Sequence, residues 1–203
     1  MAKPERKAGE FTYADYLTWP QGERWELLDG HAFGMAPPSI KHQIVVLELA
    51  RQLANQLRGQ RCKAFIAPVG VRLPELQQAD QHTRSVLEPD LLVVCDPSKI
   101  DKQGIRGAPD FIVEVLSPST ASFDQIEKRR AYERAGVCEL WLFDILSGVL
   151  TIYRQERMDA ASRAFKAPEI LRAEGLLAIA ALPGISLDLE FSSELREQDE
   201  QMP

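Results

Sequence analysis

The sequence predicts an α/β fold in which helices cover a β-sheet. Short segments rich in Val, Ile and Phe, separated by Pro, Gly and Asp, are typical of strands. Two longer segments repeat apolar residues at the spacing of a helix. One strand segment, 110–116, is apolar on both faces, which is typical of a strand that is covered on both sides.

Length and composition indicate an ordinary folded domain. The chain has 203 residues, of which 45% are hydrophobic and 27% charged. We expect one domain over 1–203, with flexible ends at 1–10 and 195–203. The charged N-terminus lacks a signal-peptide core and no apolar run is long enough for a bilayer, so we expect a cytoplasmic protein with no membrane partner.

Charge and cysteine content exclude two further classes. A net charge of −6 argues against nonspecific coating of nucleic acid, so any such contact must come from a local basic patch. Cys62, Cys95 and Cys138 stand far apart and form no CxxC pair. We therefore expect neither a zinc site nor a disulfide framework, but reduced core residues.

The first half of the chain predicts a short helix, a hairpin and a long helix. Thr12 is suited to cap a helix at TYADYL, which Pro20 ends. Asp29-Gly30 fits the two-residue turn of a hairpin between RWELL and HAFGM. After a break at PPS, the segment KHQIVVLELARQLANQLRG has helical spacing and stops at Gly59.

The second half predicts strands around a second helix. The predicted strands are 62–73, 90–95, 110–116, 138–144 and 149–154. Ser122 and Gln125 have the spacing of a capping box, and Gly136 closes the helix that they open. From about residue 175 the signals are a mixture of weak strand and loop.

Two carboxylates stand in apolar surroundings. Strand alternation places Glu114 in a row with Ile112 and Leu116, where a lone charge is costly unless it is paired, neutralised or bound to a metal. Asp90 follows Pro89 at the entrance to another apolar strand. If the two strands are neighbours, their carboxylates converge and offer the oxygen ligands that Mg²⁺ or Mn²⁺ prefers.

The helix that follows can supply a positive charge. Asp124, Lys128 and Tyr132 recur every four residues and share one stripe. Lys128 can thus reach the carboxylates, where an ammonium would stabilise charge developing on a phosphate. Arg129 and Arg130 make the same helix locally basic, as a contact with a phosphate backbone requires.

Each of these residues also has an ordinary structural interpretation. Glu114 is equally well explained as a buried acid paired with Arg106 or Arg130, and Asp90 as a turn residue. Lys128 fits a solvated helix face or an ion pair with Asp124.

Two aromatic or basic side chains are similarly ambiguous. His42, near a helix start, is more often a structural or surface group than a base. Tyr132 is better suited to packing, with its hydroxyl satisfied, than to catalysis.

These motifs together resemble a known family. The succession WELLDG, PPS with His42, EPDLLVV, GAPDFIVEVLSPST, DQIEKRRAYERAGV and ELWLFD is similar to the Uma family of restriction endonucleases, a branch of the PD-(D/E)XK nuclease superfamily. The likeness runs from about Tyr13 to about residue 190. It implies a restriction-endonuclease-like core, with a mixed central β-sheet flanked by helices.

The resemblance also implies roles for particular residues. Asp90 and Glu114 would be the motif acids and, with the carbonyl of Val115 and with Glu26, would hold Mg²⁺ or Mn²⁺. The lysine expected two residues after Glu114 is absent, because that position is Leu116. Lys128 is the candidate for a relocated lysine that orients the attacking water. Possible nucleic-acid contacts are His42, Arg129, Arg130 and Tyr132.

The sequence therefore predicts a Mg²⁺- or Mn²⁺-dependent endonuclease that hydrolyses DNA phosphodiester bonds. The class further implies a homodimer, since cutting both strands in one encounter takes two active sites. The missing lysine and the acidic net charge favour an alternative, a catalytically silent nucleic-acid-binding or protein-interaction module that keeps the fold. A third hypothesis is a metal-dependent hydrolase of another phosphate-containing substrate.

Overall fold

The computed structural model describes residues 9–20, 22–75, 78–117, 124–156 and 164–193. Its helices are α1 (Tyr13–Tyr16), α2 (Ile40–Gln56) and α3 (Arg129–Ala135), the last preceded by a π-helical turn at Asp124–Lys128. Its strands are β1 (Trp25–Leu28), β2 (His31–Gly34), β3 (Lys63–Ile66), β4 (Val71–Arg72), β5 (Val86–Leu87), β6 (Leu91–Val94), β7 (Ile100–Asp101), β8 (Gly104–Arg106), β9 (Phe111–Leu116), β10 (Glu139–Asp144), β11 (Val149–Arg154), β12 (Glu169–Arg172), β13 (Leu176–Ala178) and β14 (Ser186–Asp188).

The strands form two large sheets and one small hairpin. One sheet has the order β2-β1-β5-β4-β8-β7, the second β12-β11-β10-β9-β6-β3, and β13 pairs with β14. In the second sheet β9 and β10 are parallel and the other neighbours are antiparallel. The predicted α/β fold with a mixed sheet and flanking helices is thus confirmed, and the first sheet is an addition that the sequence did not indicate.

Strand β9 is buried on both faces, as its composition predicts. Phe111, Val113 and Val115 pack into the core cluster that contains the buried residues of α2. Ile112 and Leu116 pack into a separate cluster, which joins the second sheet to α3 and to the first sheet. Glu114 therefore faces the layer between the two sheets and α3.

The predicted strand at 62–73 is wrong as a single element. It consists of β3 and β4, which belong to different sheets. Pro68 lies between them, and a proline cannot donate to a strand ladder. The chain therefore leaves one sheet at this point and enters the other.

The expectation of reduced cysteines is also wrong for two of the three. Cys62 and Cys95 form a disulfide. The register pairs Lys63 with Val94, so the next residues outward, Cys62 and Cys95, face each other at the end of β3 and β6. Spacing along the chain carries no information about this pairing, because it depends on which strands become neighbours.

The other predicted elements agree with the structure apart from their ends. The hairpin of β1 and β2 turns at Asp29-Gly30, with φ of 49° and 82°, the left-handed values that a tight hairpin turn requires. Helix α2 ends at Gln56, before Gly59. The predicted helix start at Ser122 lies outside the described residues. No helix in the described ranges combines the length and hydrophobicity that a membrane crossing needs.

Candidate active site

The two motif acids lie close together in the second sheet. Strands β6 and β9 are antiparallel, with Leu91 opposite Val113. Asp90 directly precedes β6, and its Oδ2 accepts a hydrogen bond from the backbone N–H of Val115, the residue after Glu114 on β9. The side chain of Glu114 is buried, whereas that of Asp90 is 16% exposed.

Glu26 reaches the same layer from the other sheet. On β1 it shares a face with Leu28, which packs in the cluster between the two sheets. Glu26 is buried, and its Oε1 accepts a hydrogen bond of 2.8 Å from the backbone N–H of Glu88. Glu26 is far from Asp90 and Glu114 in sequence, but the hydrogen bond from Glu88, which follows the neighbouring strand β5, holds it in the layer that Glu114 faces.

Lys128 joins Glu26 to Glu114. Its Nζ lies 2.9 Å from Oε1 of Glu26 and 3.4 Å from Oε1 of Glu114. The lysine is 4% exposed, so the interpretation of it as a solvated side chain is wrong. In the residues described, the two arginines considered as partners of Glu114 bind elsewhere, Arg106 to Asp80 and Arg130 to Glu127. A buried ammonium between two carboxylates offsets the cost of burying them.

Tyr132 lies one turn after Lys128 and binds the same acid. Its hydroxyl donates a 2.6 Å hydrogen bond to Oε1 of Glu114. The ring is fully buried, and the contact of Tyr132 with nucleic acid stays a prediction. The four-residue spacing from Lys128 was the sequence signal for its position, since residues four apart share a helix face.

Asp90 has two contacts on one carboxylate oxygen. Its Oδ2 accepts a hydrogen bond of 2.8 Å from the backbone N–H of Val115 and lies 3.0 Å from Nε2 of His42. Sequence reasoning missed the contact with His42, which comes from α2, on the opposite side of the second sheet from α3. The predicted role of the Val115 carbonyl as a ligand stays a prediction.

Arg129 and Arg130 of α3 differ in their contacts and in their exposure. Arg129 binds Glu133 at 2.9 Å and lies over the ring of Tyr153, which leaves it partly buried. The side chain of Arg130 is 56% exposed. Arg130 therefore remains accessible to a phosphate backbone, whereas Arg129 is already engaged within the protein.

Glu88 is a further acid that the sequence did not single out. It is buried, and its Oε2 accepts from Nε and NH2 of Arg24 at 3.1 and 2.7 Å. Burial, followed by the charge of Glu88, raises the pKa of Tyr16 to about 12. Glu88, Arg24 and Tyr16 therefore lie around Glu26.

The raised pKa of Tyr16 predicts a specific alkaline sensitivity. Its folded pKa of about 12 lies above the ordinary tyrosine value of 10.0, so between these pH values the folded protein keeps a proton that the unfolded chain has lost. The stabilisation is therefore complete below pH 10 and disappears as the pH rises towards 12. Because Tyr16 is only partly buried, solvent screening reduces the effect, and Tyr16→Phe should flatten this fall by about 1–2 kcal/mol. Denaturant unfolding at several pH values measures it, and parallel curves for both proteins would contradict the assignment.

The donor set suits a hard divalent cation that keeps several water ligands. Asp90 and Glu114 would supply carboxylate oxygens from neighbouring positions of the second sheet, and Oδ1 of Asp90 accepts no hydrogen bond from the described residues. No group of three or more His, Cys, Asp or Glu side chains in those ranges is arranged to hold a metal. Mg²⁺ often binds through one or two carboxylates, with water completing its shell.

A family model matches most of the chain, and two curated proteins are similar to part of it. The model of the Uma2 family, described as "Putative restriction endonuclease", matches residues 13–190. Two uncharacterized proteins of Synechocystis sp. are 30% and 26% identical to the chain over 120 and 121 residues, or 58% of the chain in both cases. The matches span 60% and 64% of the length of these relatives.

A solved structure shares the fold. It is described as a putative nuclease belonging to DUF820 from Anabaena variabilis. The TM-score is 0.70, with 19% sequence identity, and the match covers 91% of this chain and 99% of that one. At this identity the likeness shows the fold alone. A shared fold does not by itself determine activity.

Proposed function

The chain belongs to the Uma2 family, and from that premise we propose that it is a Mg²⁺- or Mn²⁺-dependent endonuclease that hydrolyses phosphodiester bonds of DNA. One observation carries the proposal: Asp90 bonds through Oδ2 to the backbone N–H of Val115, the residue after Glu114, and an ammonium lies 3.4 Å from Glu114. Two oxygen ligands and a positive charge at one point are what metal-assisted phosphate hydrolysis requires.

In this proposal Asp90 and Glu114 hold the cation, with Glu26 directly or through water. The cation, when bound, supplies positive charge against the phosphate oxygens. Oδ1 of Asp90 is the oxygen best suited to face it, because the contacts with Val115 and His42 are both made by Oδ2.

Lys128 takes the role of the lysine that is expected at position 116, where this chain has Leu116. Leu116 packs in the apolar cluster beside Tyr132, while Nζ of Lys128 approaches Glu114 from the helix. The neighbouring acids favour the charged ammonium, which can stabilise negative charge developing on the phosphate or orient a water molecule. Tyr132 fixes the Glu114 carboxylate by its 2.6 Å hydrogen bond.

Substrate contact and assembly follow from the same proposal. Arg130 is an exposed cation on α3 that would meet the DNA backbone. A homodimer would present two such sites to the two strands. Sedimentation of the protein with and without duplex DNA measures the assembly.

One observation favours the alternative of a silent module. Lys128 already neutralises both Glu26 and Glu114, so this cluster can be stable without a cation. A module of this kind would bind DNA with no requirement for a divalent ion and would leave it intact.

Cleavage of plasmid and single-stranded DNA in Mn²⁺ tests the proposal. We expect the wild type to cut, and Asp90→Asn and Glu114→Gln, which nearly preserve side-chain shape, to lose cutting by at least about a hundredfold, because each removes a charged ligand. Asp188→Asn is the matched control, since Asp188 lies on β14, away from the cluster.

Two results would oppose the proposal. Cutting by both site variants at the wild-type rate would exclude these acids and point to a contaminating nuclease. Binding of DNA by the wild type without cutting in Mg²⁺ or Mn²⁺ would instead support the silent module. An RNA substrate in the same assay separates DNA from RNA specificity.

A further inference from the structure

We propose that His42 is a positioning residue, which holds the Asp90 carboxylate so that its Oδ1 faces the metal. The inference rests on the proposed function, since it assigns Asp90 to the metal. The observation behind it is the 3.0 Å contact between Nε2 of His42 and Oδ2 of Asp90. The two residues are 48 positions apart in the sequence and meet only through the packing of α2 against the sheet.

The start of α2 fixes the position of His42. Ser39 caps the helix and accepts a hydrogen bond from the backbone N–H of His42. Val45, Val46 and Leu49 bury the helix against the second sheet. His42 lies three, four and seven positions before these residues, which places it on the same helix face. The imidazole is therefore directed towards the sheet, at the end where β6 begins.

The contact with His42 acts on an oxygen that the main chain already holds. An ionised carboxylate only accepts, so a proton on Nε2 of His42 would be directed to Oδ2, 3.0 Å away. The same oxygen accepts from the backbone N–H of Val115, and the backbone carbonyl of Asp90 accepts from Ala67. Both contacts of the Asp90 carboxylate thus lie on Oδ2, which leaves Oδ1 for a ligand.

The surroundings of His42 argue against the nucleic-acid contact that its sequence position suggested. Its side chain is 12% exposed, and the nitrogen that could donate to a phosphate already serves Asp90. Its Nδ1 is buried and has no hydrogen-bond partner among the described residues. Burial of an unpaired nitrogen is unfavourable, and an aliphatic side chain would pack there without that cost. The imidazole is thus explained by its bond to Asp90 and not by packing.

Calorimetric titration with Mn²⁺ tests the proposal without relying on catalysis. His42→Leu removes the donor, and we expect Mn²⁺ to bind about 10- to 100-fold more weakly, the usual effect of losing a group that orients a ligand. His42→Gln can place an amide N–H near the position of Nε2 and should retain affinity within a few-fold. His82→Gln is the control, because His82 is exposed and outside the cluster.

Cleavage kinetics give a second readout. We expect His42→Leu to raise the Mn²⁺ concentration for half-maximal cutting, with a smaller change in the rate at saturating Mn²⁺. Unfolding curves without metal check that each variant is folded, and His42→Asn, whose amide is too short to reach Asp90, replaces His42→Leu if that variant does not fold.

The outcomes separate this inference from the proposed function. If the wild type binds Mn²⁺ and His42→Leu binds it equally well, the positioning role is overturned while the metal site stands. If the wild type binds no Mn²⁺ and cuts no DNA, both fall. Weakened binding in His42→Leu together with rescue in His42→Gln supports the role.

Discussion

Replacement of Lys128 by methionine is expected to lower the free energy of unfolding by about 3–5 kcal/mol at neutral pH. The substitution keeps most of the length of the side chain and removes its charge. It leaves Glu26 and Glu114, both buried, without the ammonium that lies 2.9 and 3.4 Å from them. Removal of one partner from a buried ion pair costs far more than the net value of the pair, because the remaining charge stays desolvated.

Denaturant unfolding of wild type and Lys128→Met measures this loss. Lys102→Met is the matched control, since Lys102 is exposed in a turn, and it should change stability by less than about 0.5 kcal/mol. Glu26→Gln combined with Lys128→Met should recover part of the loss, because it removes one of the unpaired charges. A loss below about 1 kcal/mol for Lys128→Met would mean that the ammonium is not the main compensation.

The same variant connects stability to the proposed metal site. A divalent cation near Glu114 can replace the missing positive charge, so saturating Mn²⁺ should stabilise Lys128→Met more than it stabilises the wild type. Equal stabilisation of both proteins would argue that the cation binds away from this cluster.

Replacement of Glu139 by leucine is expected to cost about 3–5 kcal/mol, through loss of hydrogen-bond acceptors in the core. Glu139 is fully buried, and its Oε1 accepts from Nε1 of Trp141 at 2.7 Å and from Nε of Arg154 at 3.3 Å. Its Oε2 accepts from the backbone N–H of Ala181 at 2.8 Å. Leucine would leave Nε1 of Trp141 and the N–H of Ala181 without their acceptor, whereas Arg154 would keep its bond to Glu169. Each buried donor left unpaired costs about 1–3 kcal/mol.

A graded series distinguishes this effect from simple loss of volume. Glu139→Gln keeps one acceptor oxygen and should lose less than Glu139→Leu. Glu169→Leu is the control, because Glu169 also binds Arg154, at 2.7 Å, but its side chain is 57% exposed, so the change should be within about 1 kcal/mol. If Glu139→Leu and Glu169→Leu have the same free energy of unfolding, the buried hydrogen bonds of Glu139 stabilise the fold no more than the exposed ion pair of Glu169.

Local sequence patterns predicted much of the fold. Alternation along β9 placed Glu114 on the face of Ile112 and Leu116, and the structure has that arrangement. The Asp29-Gly30 turn is likewise a local preference, since few residue pairs adopt left-handed φ values at low cost. Such features depend on residues that are close in the chain, so periodicity and turn chemistry reveal them.

The change of sheet at Pro68 and the disulfide could not be predicted from local patterns. Proline signalled an interruption, but which sheet β4 would enter depends on pairing with β5 and β8. The disulfide between Cys62 and Cys95 depends on the pairing of β3 with β6. Both facts concern strand neighbours, which the spacing of residues along the chain does not specify.

By itself, the sequence determined which residues of the candidate site share a face: Glu114 with its strand neighbours, and Lys128 with Tyr132 on one helical stripe. Only the tertiary structure decided that Glu26 arrives from a second sheet and that His42 reaches Asp90 from α2. The physical reason is that backbone periodicity sets the direction of a side chain relative to its own element. The partner that it meets is set by which elements pack together, and burial of apolar surface drives that packing without direction.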